Sequence, residues 1–196
     1  EKLVLVTVGG GEDGDRVLSC YVEGWHADAE LKAAKVRTLL VCGSEMNETN
    51  RRHVINGAGD SRLIVREGRQ WSLRQGPLPR RALPPLSQAQ WTLLVQGLDL
   101  HVDAAQALLS RFRFVPAARL DDLMLSYASD GGSVGPHIDS YDVFLLQVAG
   151  RRRWRYGRCE KPAMRADVPL KMLSRFEPTE SHLLEPGDML YLPPGW

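Results

Sequence analysis

Residues 3–8, Leu-Val-Leu-Val-Thr-Val, form an unbroken apolar and β-branched run that predicts a buried strand. The glycine-rich stretch Gly9-Gly10-Gly11-Glu12-Asp13-Gly14 follows at once. Residues 16–31 then predict a helix, weakened by Gly24. Residues 38–42 predict a second buried strand, and residues 47–55 a helix capped near Asn47. Strand, glycine loop, helix and strand make a βαβ-like unit with parallel strands. Beyond it, residues 60–65 and 71–74 flank the turn Glu67-Gly68-Arg69-Gln70 and predict a hairpin. Pro77, Pro79, Pro84 and Pro85 exclude regular structure over residues 76–85. Trp91, Leu94 and Val95 fall at i, i+3 and i+4 and predict a helical stretch from Ser87. Ala105, Leu108, Leu109 and Phe112 form the apolar stripe of a helix over residues 101–112. From residue 123 the pattern is strands and turns: 123–127, 143–148, a return over 151–156 after Ala149-Gly150, and a short strand between the turns of 185–196. Such a succession predicts a small barrel of the jelly-roll or cupin kind.

Composition sharpens this picture in a few places. The chain has 196 residues, 43% of them hydrophobic and 25% charged, which suits one or two packed domains and excludes disordered and collagen-like classes. No apolar run approaches the ~20 residues of a membrane-spanning helix, so no membrane partner is expected. The first eight residues lack the features of a signal peptide. Cys20, Cys42 and Cys159 are odd in number and widely spaced, without a CxxC pair. They suggest neither a zinc site nor a disulfide framework, and a reduced, cytoplasmic setting follows. A net charge of +1 gives no electrostatic case for nucleic acid. Residues 56–100 are locally basic, with arginine as the only basic residue type, and read as a solvated face. These shifts divide the chain into a βαβ-like segment (1–55), a hairpin with helices leading into the barrel (56–119), and the barrel itself (120–196).

Two places carry chemistry. His137 and Asp139 flank Ile138. In a strand, residues i and i+2 share a face, so imidazole and carboxylate aim at one point. They would supply two ligands of a 2-His-1-carboxylate triad, which suits Fe(II) and leaves positions open for a cosubstrate and O2. On the predicted strand over 151–156, Arg152, Trp154 and Tyr156 share one face, and Arg151, Arg153 and Arg155 the other. The aromatic face is the better interior candidate. Arg152 then needs an anionic partner, either a dicarboxylate cosubstrate gripped in a bidentate fork or a protein carboxylate.

The order DDLMLSYASDGGSVGPHIDSYDVFLLQVAGRRRWRYG, followed by LEPGDMLYLPPGW, closely resembles the bacterial ribosomal oxygenases, JmjC-type cupin hydroxylases. The resemblance begins near DSRLIVREGRQWSLRQGPL and covers residues 59–196. It implies a mainly β fold with helices, built on a double-stranded β-helix barrel. It also implies Fe(II), 2-oxoglutarate and O2 as cofactor and cosubstrates, and an arginine side chain of a large-subunit ribosomal protein as substrate. By position, His137 and Asp139 match the first two iron ligands and Arg152 the residue that binds the distal carboxylate of 2-oxoglutarate. Asp130 lies where the family approaches its substrate, and also where a turn-forming aspartate is at home. The family's third ligand, a histidine, follows the PPG motif by a few residues, whereas the sequence stops at Trp196. The expectation is therefore a C-terminally truncated barrel that binds Fe(II) more weakly than a full-length homologue. Family members dimerise through regions after the barrel, so an oligomer is possible in the full-length protein. His182, His26, His53 and His101 lie outside the motifs and read as surface residues. Two other readings stand beside this one. A non-catalytic cupin module would keep the shape without a working metal site. A nucleotide-sugar-binding glycosyltransferase fragment would account for VTVGGGEDG, which resembles the start of such domains.

Overall fold

The computed structural model describes the strand backbones at residues 5–9, 21–25 and 31–35, and residues 61–196 apart from positions 79, 86 and 101. Its strands are β1 (Leu5–Gly9), β2 (Tyr21–Trp25), β3 (Leu31–Lys35), β4 (Ser61–Glu67), β5 (Gln70–Gln75), β6 (Trp91–Val95), β7 (Met124–Ala128), β8 (Val143–Ala149), β9 (Arg152–Tyr156), β10 (Glu180–Leu184) and β11 (Met189–Leu192). Among the described residues the one α-helix is α1 (Asp103–Ser110). Seven strands form one sheet in the order β11-β8-β1-β7-β6-β4-β5, while β9 pairs with β10 and β2 with β3. The result is the mainly β, cupin-type architecture with few helices that the sequence predicts.

Strand alternation gives the large sheet two different faces. One carries Leu63, Leu93, Leu125, Tyr127 and Leu146, which cluster with the α1 stripe of Ala105, Leu108 and Leu109 and with Phe112 just beyond it. This is the hydrophobic core, and α1 lies on it because its apolar stripe has nowhere else to leave water. The alternate positions are also buried and mix apolar residues, Ile64, Leu94 and Leu145, with the polar Thr92, Ser126 and Gln147. The Gln147 side chain satisfies its amide by donating to the Ala149 carbonyl at 2.6 Å. A sheet buried on both faces, with polar residues confined to one, has an interior surface suited to a polar ligand.

Three expected elements differ from the structure. Residues 91–95 form a strand, not a helix. A short apolar run fits either period, and pairing decides: Trp91–Val95 lies between β4 and β7, buried on both faces. Within residues 16–31, Tyr21–Trp25 is a strand, antiparallel to β3. Its Tyr-Val-Glu-Gly-Trp sequence alternates large and small or polar residues, a β pattern. Finally, β9 does not return along β8; it pairs with β10 from Tyr156↔Glu180 to Arg152↔Leu184. The expected strand at 38–42, the helix at 47–55 and most of the glycine run at 9–14 lie outside the described residues. β1 pairs in parallel with both β7 and β8, which puts a strand from the start of the sequence inside the main sheet.

Candidate metal and dicarboxylate site

The connection between β7 and β8 carries both metal-ligand candidates. Contrary to expectation, His137 and Asp139 do not lie in a strand. A strand requires a ladder, and here the neighbouring backbone supplies only isolated bonds. The Leu173 N–H donates to the Pro136 carbonyl at 2.7 Å, and the Gly195 N–H to the Asp139 carbonyl at 3.0 Å. The i, i+2 relation nevertheless delivers the two side chains to one place, with His137 Nε2 3.6 Å from Asp139 Oδ2.

The imidazole is oriented from behind. His137 Nδ1 lies 3.0 Å from the Gly135 carbonyl and donates to it, which leaves the Nε2 lone pair facing the carboxylate side. A carbonyl behind one ring nitrogen is the arrangement that presents the other to a metal. Gly135 occupies a left-handed conformation, φ +78°, and an added Cβ would stand 2.2 Å from Met172 Cε. Gly135→Ala is therefore expected to disturb the His137 anchor and weaken divalent-metal binding by about tenfold. Titration with Co(II), followed by its visible absorption, would measure this.

Burial alone would lower the His137 pKa, but hydrogen bonds to Asp139 and to the Gly135 carbonyl, with the Asp139 charge, raise it above 6.5. Asp139 shows the reverse balance. Burial pushes its carboxyl up, yet hydrogen bonding to His137, the His137 charge and a hydrogen bond to Tyr141 carry it below its ordinary value. The Tyr141 hydroxyl, half-buried beside that carboxylate, is pushed up to about 12 and stays a donor at neutral pH. A metal must displace the His137 proton. Affinity for Co(II) is thus expected to fall as pH drops, beginning above the ordinary histidine range, with weaker binding at about pH 6 than at about pH 8. A His137→Asn variant would flatten that dependence in the same titration.

An imidazole nitrogen and a carboxylate oxygen fit Fe(II) as two ligands. Among the described residues no group of three His, Cys, Asp or Glu side chains gathers round one point, so these two donors fit the ion as part of a set.

Arg152 opens β9, whose residues alternate half-buried and exposed: Arg152, Trp154 and Tyr156 face in, Arg153 and Arg155 face out. Its Nη1 donates to Ser126 Oγ of β7 at 3.1 Å, linking the small sheet to the polar face of the large one. Its guanidinium also lies 5.7 Å from the Trp154 ring centroid. Burial pushes the Arg152 pKa down to about 10, which still leaves it cationic at neutral pH. A buried guanidinium hydrogen-bonded by a neutral hydroxyl suits a carboxylate ligand.

The remaining sequence candidates are placed differently. Asp130 sits on an exposed turn, where its carbonyl accepts the Gln90 N–H at 2.8 Å. No contact joins its side chain to His137, Asp139 or Arg152 among the described interactions. His182 is exposed, but it stands opposite Trp154 in the β9–β10 register, and so on the inward face. Ser126, Gly135 and Tyr141 were not singled out from the sequence. A signal existed for Ser126, the one hydroxyl between Leu125 and Tyr127 in an otherwise apolar strand.

Comparison with known proteins gives a consistent picture. Residues 107–196 match the JmjC domain family. The ribosomal protein uL16 3-hydroxylase of Escherichia coli K12 is 43% identical over 140 residues, covering 70% of this chain and 36% of the relative. A probable ribosomal oxygenase of Haemophilus influenzae is 36% identical over 126 residues, covering 63% of this chain and 31% of its own. The X-ray structure of E. coli ycfD superposes with a TM-score of 0.67 at 40% identity, covering 72% of this chain and 38% of that one. The structure of YcfD, a ribosomal oxygenase from E. coli, in complex with cobalt and 2-oxoglutarate, gives 0.61 at 38% identity, covering 72% and 36%. The chain spans about a third of the length of these relatives.

Proposed function

We infer, from the match of residues 107–196 to the JmjC domain family and the likeness of about 70% of this chain to ribosomal oxygenases, that it is part of an Fe(II)- and 2-oxoglutarate-dependent oxygenase that hydroxylates an arginine side chain of a large-subunit ribosomal protein. One observation carries this reading. His137 and Asp139 converge to 3.6 Å with the imidazole anchored through Nδ1 on the Gly135 carbonyl, while Arg152 is tied from the small sheet to Ser126 of the large one.

In this reading His137 Nε2 and the Asp139 carboxylate hold the iron. Tyr141 donates to Asp139 and fixes that carboxylate. Arg152 takes the distal carboxylate of 2-oxoglutarate, with Ser126 steering its guanidinium. Bound iron with 2-oxoglutarate and O2 supplies the oxidising chemistry. The protein's own part is positioning: two ligands and one anion anchor. Asp130, on its exposed turn, approaches the substrate at the mouth. The barrel comprises residues 120–196, and residues 56–119 lead into it. The cytoplasm is the setting in which a ribosomal protein meets such an enzyme. Among the described residues no helix is long and apolar enough to cross a membrane.

The test is oxygen transfer. The chain, Fe(II), ascorbate and 2-oxoglutarate would be incubated in air with a large-subunit ribosomal protein. Mass spectrometry is expected to find one added oxygen atom on an arginine, matched by succinate formation and lost in Asp139→Ala. Oxygen found on another residue type would overturn the arginine assignment. Formation of neither product would favour the non-catalytic cupin module.

A further inference from the structure

We propose that Met172 is a positioning residue for His137: its thioether, laid against Gly135, holds the carbonyl on which the imidazole is anchored. This rests on the reading of His137 as a metal ligand and adds to it the element that keeps the ligand in place.

Residues 158–179 belong to the connection from β9 to β10, and only Met172 and Leu173 among them are buried, at 2% and 3% exposed. The segment folds back on itself through an antiparallel bridge between Met164 and Leu173. The Arg165 N–H donates to the Met172 carbonyl at 2.8 Å, and the Ser174 N–H to the Ala163 carbonyl at 2.7 Å. A thin, mostly exposed hairpin has no core of its own, so an apolar side chain on it must leave water against another part of the fold.

Met172 does so on the loop that carries His137. A Cβ built on Gly135 would stand 2.2 Å from Met172 Cε, 2.9 Å from Sδ and 3.1 Å from Cγ, so the side chain occupies the space that a residue other than glycine would fill. Next to it, the Leu173 N–H donates to the Pro136 carbonyl at 2.7 Å. Residues 172 and 173 thus grip residues 135 and 136, one by a side chain and the other by the backbone.

What they grip is the anchor of the imidazole. The Gly135 carbonyl takes the His137 Nδ1 proton at 3.0 Å, and it belongs to a loop without a strand ladder. A glycine in such a loop has many backbone conformations open to it. Packing of Met172 on its α-carbon removes most of them and fixes the direction of the carbonyl. Met172 is held in turn. Arg165 Nη1 donates to its Sδ at 3.7 Å, and Arg165 Nε donates to Asp167 Oδ1 at 2.9 Å. An unbranched thioether samples many rotamers; a cation at the sulfur and a glycine under the methyl group select one.

The first measurement needs no metal. With isotope-labelled histidine at about pH 8, the His137 imidazole is expected by NMR as a single tautomer protonated at Nδ1, its signal identified by its loss in His137→Asn. Met172→Ala should convert it to an averaging mixture of tautomers. Met172→Leu, which nearly conserves volume, should keep it. In the Co(II) titration Met172→Ala should weaken binding about tenfold and Met172→Leu less than about twofold. Leu108→Ala, a cavity in the core beneath α1, should cost stability and leave both readouts unchanged. Gly135→Ala combined with Met172→Ala should bind Co(II) no more weakly than Gly135→Ala alone, because the added Cβ then meets space where the thioether stood. A single Nδ1–H tautomer that persists in Met172→Ala, an equal disturbance in Leu108→Ala, or losses that multiply in the double variant would overturn the proposal. Tautomer mixing in Met172→Ala with undiminished Co(II) affinity would leave Met172 as the residue that positions His137 and remove His137 from the ligands.

Discussion

Arg152→Ala is expected to weaken 2-oxoglutarate binding by about a hundredfold, the loss that follows when one partner of a buried, hydrogen-bonded charge pair is removed. The guanidinium is buried, its Nη1 is tied to Ser126 Oγ, and the Trp154 ring flanks it. It is therefore pre-ordered in a site where a dicarboxylate loses little further freedom on docking. Arg152→Lys should be intermediate, because an ammonium keeps the charge and loses the planar fork. Arg151→Ala, at an exposed position before the strand, should change affinity less than about twofold. Calorimetry with Mn(II) in place of iron measures all three, and metal affinity should hold within error throughout. Equal losses for Arg151→Ala and Arg152→Ala would end the assignment of Arg152 to the cosubstrate.

The largest stability effect is expected at Trp91. Its side chain is 1% exposed, and its ring centroid lies 4.8 Å from that of Tyr127. Trp91→Ala should cost ~3–5 kcal/mol, from lost apolar burial together with the cavity left behind. Trp91→Phe should cost much less, about 1–2 kcal/mol, because the indole Nε1 that disappears had no partner among the described residues. The backbone at this position has a second task. The Trp91 N–H donates to Ser129 Oγ at 3.0 Å, and the Trp91 carbonyl accepts the Ser129 N–H at 3.0 Å. Ser129 begins the loop that leads to His137, so a collapsed core under Trp91 should also loosen the proposed metal-ligand pair His137 and Asp139. Urea unfolding measures the stability loss. The Co(II) titration is expected to show a metal deficit in Trp91→Ala that Trp91→Phe lacks. A cost below about 1 kcal/mol for Trp91→Ala would mean that the core is not centred there.

Much of this was legible in the chain, and the failures have physical causes. The hairpin β4–β5, the strands β7 and β8 and the helix α1 each combine a clear period with local turn residues, so local information suffices. The turn glycine of the hairpin, Gly68, has φ +61°, as a turn there requires. Strand β6 was misjudged because five apolar residues satisfy both periods, and only its long-range neighbours β4 and β7 choose between them. The pairing of β9 with β10 joins residues separated by a long loop, and no local signal encodes it. The candidates His137, Asp139 and Arg152 come from the i, i+2 spacing, the alternation over 151–156 and the family resemblance. Ser126, Gly135 and Tyr141 matter through what they touch. A carbonyl behind an imidazole or a hydroxyl beside a guanidinium is a tertiary fact, invisible until the chain has closed on itself.

The position of β1 sets a timetable for synthesis. Its two partners, β7 and β8, lie well over a hundred residues downstream. At ~5–20 residues per second, β1 leaves the ribosome on the order of 10 seconds before β8 exists to hold it. Throughout that interval Leu5-Val6-Thr7-Val8 is a short β-prone segment with neither of its eventual neighbours. A nascent chain of this kind has a window in which chaperones or other chains compete for the strand. The window lengthens when translation slows between residues 35 and 143, so synonymous changes there would alter folding yield without altering one amino acid.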